Sequence, residues 1–182
     1  MKSIHTLLLL LLGFQTAQSQ MAVMSPAAAV PSDEVTITFD AAQGNGQLIG
    51  AETVYMHHGV VTTSPTSNSW SNVIGNWGQD DGIGEMTPVS GQPNKWQITF
   101  SPSIREYFNV PEGTNIFRIS AVFRSADGTV KGTMASGNYP WGTVTASGDV
   151  FINLNVPNYL VFVAPTANET FVDPGETINI QA

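Results

Sequence analysis

Apolar and polar residues alternate in several short runs, and turn-forming residues separate these runs. The runs at 35–39, 96–100 and 149–156 predict strands, and the alternation in the second of them assigns Trp96 to the core. The pattern predicts about seven strands over roughly 120 residues, with one short helical turn at 103–108, which is typical of an all-β, immunoglobulin-like β-sandwich. In the clearest run an apolar set is expected to face the core and a polar set to face outward, namely Phe117, Ile119, Ala121 and Phe123 against Arg118, Ser120 and Arg124.

One strand and the loop after it carry most of the candidate functional side chains. Consecutive side chains on a strand point to opposite faces of the sheet. If Val54, Met56 and His58 face the core, Tyr55 and His57 lie side by side on the other face. The sequence therefore predicts that Tyr55 and His57 belong to one exposed surface.

The loop after this strand is polar but carries two of the four tryptophans of the chain, Trp70 and Trp77. Short Ser, Thr, Asn and Gly residues border both of them. A flat aromatic ring packs against the axial C–H bonds of a sugar, and neighbouring amide and imidazole groups reach its hydroxyls. The loop and the strand together predict a carbohydrate-binding surface.

The first residues of the chain have the organisation of a secretory signal peptide. Lys2 gives a basic start, the apolar run 7–14 is too short to span a bilayer, and Ala17-Gln18-Ser19 fits a cleavage site. We therefore expect a secreted protein. Residues 157–182 resemble the opening of another bacterial immunoglobulin-like domain and are too few to bury a core, so we expect the N-terminal fragment of a longer polypeptide. The expected units are a signal peptide, a lead-in without a helix, a β-sandwich and the incomplete start of another immunoglobulin-like domain, at 1–19, 20–33, 34–156 and 157–182.

Composition narrows the class of ligand. Once Lys2 is removed, five basic residues remain against fourteen acidic ones, which gives a net charge of −9. This charge argues against nucleic-acid and anionic-membrane partners, because both favour basic patches. Only 11% of the residues are charged, so a neutral polar ligand suits the surface better than an ionic one. The absence of cysteine excludes disulfides, Cys-ligated metals and a lipid-anchored lipoprotein, and a soluble monomer is expected.

Several segments, VYMHHGV, GNWGQDDGIGEMTPV, NKWQITF and FRSADG, resemble the starch-binding type of carbohydrate-binding module. Such modules occur in secreted α-amylases and in outer-membrane starch-utilisation proteins of Bacteroidetes. The resemblance spans residues 35–156 and implies a non-catalytic β-sandwich that holds α-glucan on two or three exposed aromatics. It implies that Tyr55 and Trp70 stack on glucose rings and that His57 bonds hydroxyls. Trp77 would be a further platform, and an asparagine such as Asn76 or Asn72 a further hydrogen-bonding group.

The resulting hypothesis is a secreted, non-catalytic module that binds an α-glucan polysaccharide or a maltooligosaccharide. The resemblance implies a catalytic domain in cis, in a parent chain of the family 13 α-amylase type. Catalysis within this chain is not expected, because it has no nucleophile elbow, phosphate loop or dinucleotide fingerprint. The alternative is a structural or adhesive immunoglobulin-like spacer without a ligand.

Two features bear on a metal site. His57 and His58 are adjacent, and neighbours on a strand point to opposite faces, so a shared zinc ion is not expected. Asp80, Asp81 and Glu85 offer the oxygen ligands that Ca²⁺ prefers, but their spacing matches no strong calcium motif. One loop also lacks the opposed carboxylates of a glycosidase. The sequence predicts a solvated acidic loop without a metal or cofactor.

Overall fold

A computed structural model describes residues 20–156 of the chain. This part of the chain contains short β-strands and one helical turn. In chain order they are β1 Ala22–Ser25, β2 Val35–Asp40, β3 Tyr55–Val61, β4 Ser71–Ile74, β5 Thr87–Pro88, β6 Lys95–Phe100, α1 Ile104–Tyr107, β7 Arg118–Arg124, β8 Lys131–Gly132, β9 Gly137–Tyr139, β10 Gly142–Val144 and β11 Val150–Asn153.

The strands form two antiparallel sheets. The smaller sheet has the order β1-β2-β6-β5, and the larger sheet has the order β4-β3-β7-β11-β10-β9, with β8 beside β7. The fold is therefore an all-β sandwich, which confirms the predicted fold class. The predicted helical turn is α1, where the Ser103 side chain accepts a hydrogen bond from the Glu106 N–H. Within residues 20–156, no helix has the length and apolar character needed to cross a bilayer.

The core lies between the two sheets. Phe39 of β2 and Phe123 of β7 stack across it, with their ring centroids 4.2 Å apart. Burial of one such phenylalanine contributes about 1.5–3 kcal/mol. Gly132 allows this close packing, because a Cβ there would lie 2.5 Å from the Phe39 ring. Trp96 is 7% exposed and belongs to the core, as predicted.

The predicted lead-in contributes an edge strand to the smaller sheet. β1 pairs with β2, and Ala22 lies opposite Phe39. Its alternate residues Ala22 and Met24 are buried, so they extend the core at this edge. The predicted signal peptide and the predicted start of a further domain lie outside the described residues.

The outer face of β7 corrects one expectation. Arg118, Ser120 and Arg124 do lie on the face opposite the core between the sheets, but all three are buried. Alternation along a strand fixes which face a side chain joins. It does not determine whether another part of the chain covers that face.

Candidate functional site

Two loops cover part of the outer face of the larger sheet. The first loop comprises residues 62–70 and the second comprises residues 75–84. Arg118 holds the first loop, because its guanidinium donates to the Ser67 carbonyl and to Asn68 Oδ1. The same guanidinium lies 4.5 Å above the Phe151 ring. Burying a cation is unfavourable unless its N–H groups find acceptors, so this contact ties the loop to the sheet.

Arg124 holds the second loop in the same way. One terminal nitrogen donates to the carbonyls of Ser125 and Ala126, at 2.8 Å and 2.5 Å. The other donates to the carbonyls of Asn76 and Gln79, at 2.9 Å and 3.1 Å. The side chain is fully buried, and burial lowers the pKa of its guanidinium. One planar cation therefore joins the hairpin turn after β7 to the second loop.

Trp77 is held at the tip of this arrangement with 44% of its surface exposed. The hairpin turn approaches the indole closely at Gly128, where a Cβ would lie 3.0 Å from Trp77 Nε1. Lys131 Nζ lies 5.0 Å from the ring centroid, and the Arg124 guanidinium lies at 5.9 Å. These contacts fix the ring while leaving much of it open to solvent.

His57 lies between the two tryptophans. The His57 and Trp70 centroids are 6.0 Å apart with an interplanar angle of 29°. The His57 and Trp77 centroids are 5.5 Å apart, and their planes are nearly perpendicular at 87°. The two indole planes are therefore steeply inclined to each other. Trp70 is half-buried and also packs edge-on against Phe151, at 6.2 Å.

These side chains form a shallow open depression of about 310 Å³, which we call the indole depression. The described residues that line it are His57, Trp70, Trp77, Val122, Lys131 and Asp149. Lys131 and Asp149 bring one charge of each sign, so the lining is close to neutral at pH 7. A neutral ligand with apolar faces matches this lining better than an ion does.

The His57 imidazole is neutral at pH 7. Burial lowers its pKa from 6.5, and the positive charge of Arg124 lowers it further, while the Gly75 backbone opposes the shift. His57 Nδ1 itself is buried and completes no hydrogen bond. The other ring nitrogen, Nε2, is therefore the one that can bond a sugar hydroxyl, as a donor or as an acceptor according to the tautomer.

Tyr55 does not lie on this surface, so the prediction that it is exposed beside His57 is wrong. The residue is 1% exposed, and the Arg124 guanidinium lies 4.5 Å from the centroid of its ring. Its hydroxyl donates to Asp80 at 2.6 Å and accepts from the Gly82 N–H at 3.1 Å. The hydrogen bond to Asp80 raises the pKa of Tyr55, and burial adds to this shift. The second loop folds over the start of β3 and covers the ring.

The two candidate asparagines also lie outside the lining of the depression. Asn76 is exposed, and its amide donates to Asp81 at 2.7 Å. The Asn72 amide donates to the Phe108 carbonyl at 2.9 Å. The polar residues that line the depression beside His57 are instead Lys131 and Asp149, neither of which the sequence pattern suggested.

The pairing of β8 with β7 places Lys131 beside the depression. Arg124 pairs with Lys131 across this hairpin, so the two cations share one end of the outer face. The predicted Ala126-Asp127-Gly128 turn is confirmed, with the Ser125 N–H bonding the Val130 carbonyl at 2.9 Å. No comparable local signal points to Asp149.

The acidic residues of the second loop serve to fix its shape. Asp80 accepts from Tyr55, and Asp81 accepts from Asn76 and from the Ile83 N–H. The hydrogen bond from Asn76 is the main cause that lowers the pKa of Asp81. Within residues 20–156, no three His, Cys, Asp or Glu side chains are grouped so that they could hold a metal ion, and this includes the calcium candidates Asp80, Asp81 and Glu85.

Residues 22–131 match the family model of a domain of unknown function, DUF8578. The match covers more than half of the chain, and the chain belongs to this family. It includes both loops and all residues of the indole depression except Asp149. No curated protein matches the chain.

Proposed function

We propose that this domain is a secreted, non-catalytic carbohydrate-binding module that holds an α-glucan in the indole depression. One observation carries the proposal: two inclined indoles flank a neutral imidazole in an open depression, and two buried arginines hold the surrounding loops. Aromatic side chains that together form one contiguous apolar patch on a protein surface often mark a binding site, unlike a single exposed side chain. The low charge of the chain agrees with a neutral ligand.

Stacking on the indoles supplies the affinity. Each aromatic contact of this kind contributes about 0.5–1.5 kcal/mol beyond the area that it buries. Two stacked sugar rings then contribute about 1–3 kcal/mol and a hydrogen bond to His57 about 0.5–1.5 kcal/mol, so binding is weak, with a Kd of about 1 mM or above. The pre-formed rings need little reordering, so little of this energy is lost.

The inclination of the indoles favours an α-glucan over a β-glucan. A β-1,4-linked glucan is a flat extended ribbon, and coplanar rings match it. Successive glucose units of an α-1,4-linked glucan turn relative to one another, so the chain coils. The steep angle between Trp70 and Trp77 follows from their angles of 29° and 87° to His57, and it suits a chain that turns.

The role of such a module is to concentrate a catalytic domain at its substrate. Weak binding to a polymer raises the effective concentration of a linked enzyme without new contacts to the active site. Catalysis in the depression itself is disfavoured, because glycoside hydrolysis needs two opposed carboxyl groups. Among the described residues that line the depression, Asp149 carries the one carboxyl group.

The second candidate function is an immunoglobulin-like spacer without a ligand. The edge-on contact of Trp70 with Phe151 favours it, because most of the Trp70 surface then has a packing role. The two functions differ in what truncation of Trp77 does. In a spacer this truncation changes stability alone, whereas in a binding module it also weakens carbohydrate binding.

Affinity electrophoresis separates these functions. The full chain is run in gels that contain amylose, pullulan, xylan or carboxymethylcellulose, beside Trp70→Ala, Trp77→Ala and His57→Ala. Ile49→Ala is the matched control, because Ile49 is 56% exposed and lines no part of the depression. We expect amylose and pullulan to retard the parent chain and the control strongly and the three variants much less. Retardation by none of the gels would leave the spacer, and retardation by xylan alone would refute the α-glucan assignment.

A further inference from the structure

A second groove, of about 390 Å³, lies where the edge of the smaller sheet meets the larger sheet. Trp141, between β9 and β10, forms part of its wall, and most of the rest comes from β1, β11 and the residues next to these two strands. We call it the Trp141 groove. The described residues that line it are Gln20, Val23, Met24, Ala27, Ala28, Pro140, Trp141, Ile152, Asn153, Leu154 and Asn155. It shares no lining residue with the indole depression.

The orientation of the Trp141 indole is fixed. Its ring stacks on Tyr139, with centroids 5.3 Å apart and an interplanar angle of 13°. The Tyr139 hydroxyl donates to the Ala135 carbonyl at 2.6 Å. The Trp141 carbonyl accepts from the Asn153 N–H at 3.0 Å, which anchors the residue to β11. Trp141 is half-buried, so part of a rigidly held indole faces the groove.

The polar side chains among the residues that line the groove are primary amides, those of Gln20, Asn153 and Asn155. None of the described residues that line it has a charged side chain. An amide group has both donors and an acceptor, so it can donate a hydrogen bond to a hydroxyl group or accept one from it. A neutral lining gives an ion no compensation for leaving water. A flat indole beside several amides and no charge is therefore suited to a neutral, hydroxyl-rich ring.

We propose that the Trp141 groove is a second binding site for neutral oligosaccharide, of the α-glucan class inferred for the indole depression. This inference rests on the proposed function for the identity of the sugar. Its consequence is bivalency: one polymer chain, or two neighbouring chains of a granule, engages two weak sites on one domain. Linked sites of this kind bind a polymer much more tightly than they bind a short oligosaccharide.

Site-resolved NMR tests this proposal. The full chain is labelled with ¹⁵N and titrated with maltoheptaose, and the four indole N–H signals are assigned with single Trp→Phe variants. We expect the signals of Trp70, Trp77 and Trp141 to shift. The Trp96 signal is the internal control, because its Nε1 is buried in the core and should stay in place. The Trp141 shift should persist in Trp77→Ala, since the two sites are separate.

The outcomes distinguish the two sites. A static Trp141 signal beside moving Trp70 and Trp77 signals would overturn the second site and leave the proposed function intact. If all four signals stay in place, both inferences fail. Movement of Trp141 alone would retain a sugar site in the groove and refute the indole depression.

The polymer provides an independent measurement of bivalency. Retention of the full chain on amylose should weaken about tenfold or more in Trp141→Ala, while maltotriose still shifts the Trp77 signal as in the parent chain. Asn155→Ala is the second variant, in case Trp141→Ala does not fold. Because Asn155 is exposed, its truncation should weaken retention without lowering the melting temperature. If both variants keep full retention, the groove does not bind glucan. A lowered melting temperature with unchanged retention in Trp141→Ala would show that Trp141 serves packing alone.

Discussion

His58 is an imidazole enclosed by the core, and its burial predicts a loss of stability in mild acid. The residue is fully buried, and its Nδ1–H donates to the Met56 carbonyl at 2.5 Å. Its Nε2 accepts from the Tyr107 hydroxyl at 2.9 Å, and the ring stacks 5.2 Å from Phe100. This arrangement accommodates the neutral ring and has no place for a second proton. Burial is the main cause that lowers the pKa of His58 to about 4, and the Met56 carbonyl opposes the shift.

The magnitude follows from the two states of His58. In the unfolded chain the imidazole has its ordinary pKa of 6.5, so between pH 6.5 and pH 4 the unfolded state binds more protons than the folded state. The contribution is fully present above pH 6.5 and is lost as the pH falls towards 4. Each pKa unit corresponds to 1.36 kcal/mol, so the free energy of unfolding falls by about 3 kcal/mol across this window. The lowered pKa of His57 adds a contribution of the same sign.

Urea denaturation at several pH values between 7 and 4 measures this dependence. We expect His58→Gln to be less stable than the parent chain at pH 7 but to lose much less stability on acidification. His57→Gln is the matched control and should keep most of the slope. Hydrogen bonds lower the pKa of Asp81 and Asp127 from 3.8, so protonation of these carboxylates does not account for a stability change between pH 6.5 and pH 4. A parent chain with constant stability from pH 6.5 to pH 4, or a full slope in His58→Gln, would refute this reasoning.

Three further predictions concern the loops and the ligand. Arg124→Met should lower the free energy of unfolding by about 2–4 kcal/mol, because four carbonyls lose their donor. It should also weaken retention on amylose. Arg124→Lys should restore only part of the stability and part of the retention. Gly128→Ala should lower stability by about 1–3 kcal/mol and shift the Trp77 indole signal, because the position has φ +70° and lies against Trp77 Nε1. Gly113→Ala, at φ +78° with nothing within 4 Å, is its control and should change stability without shifting that signal. Affinity for maltoheptaose, measured by calorimetry, should change less than about twofold between 50 mM and 500 mM NaCl, and a steep loss would contradict binding by stacking and neutral hydrogen bonds.

Alternation along the chain predicted the inner faces of the sheets well, because burial of one strand face leaves a period of two in the sequence. Met56 and His58 are both fully buried, as expected from their parity. The same parity placed Tyr55 and Arg124 on the outer face, which is correct. Their burial was not predictable, since it depends on a loop that folds back over the sheet. Periodicity carries no information on such a non-local contact.

In the candidate site, too, the sequence located the residues that are close along the chain and missed those that come from distant segments. His57, Trp70 and Trp77 are close in sequence, and the structure brings them together around one depression. Lys131 and Asp149 come from distant segments, so only the register of the larger sheet places them there. Tyr55 was predicted to be part of the site but is not, because its hydroxyl donates a hydrogen bond to Asp80 in the second loop.

A crystal structure of the full chain soaked in maltoheptaose is the most direct measurement of the central claim. The account predicts glucose rings within about 4 Å of both Trp70 and Trp77, with a hydroxyl in hydrogen-bonding distance of the His57 ring. Sugar bound elsewhere while the indole depression stays empty, at a concentration well above 1 mM, would contradict it.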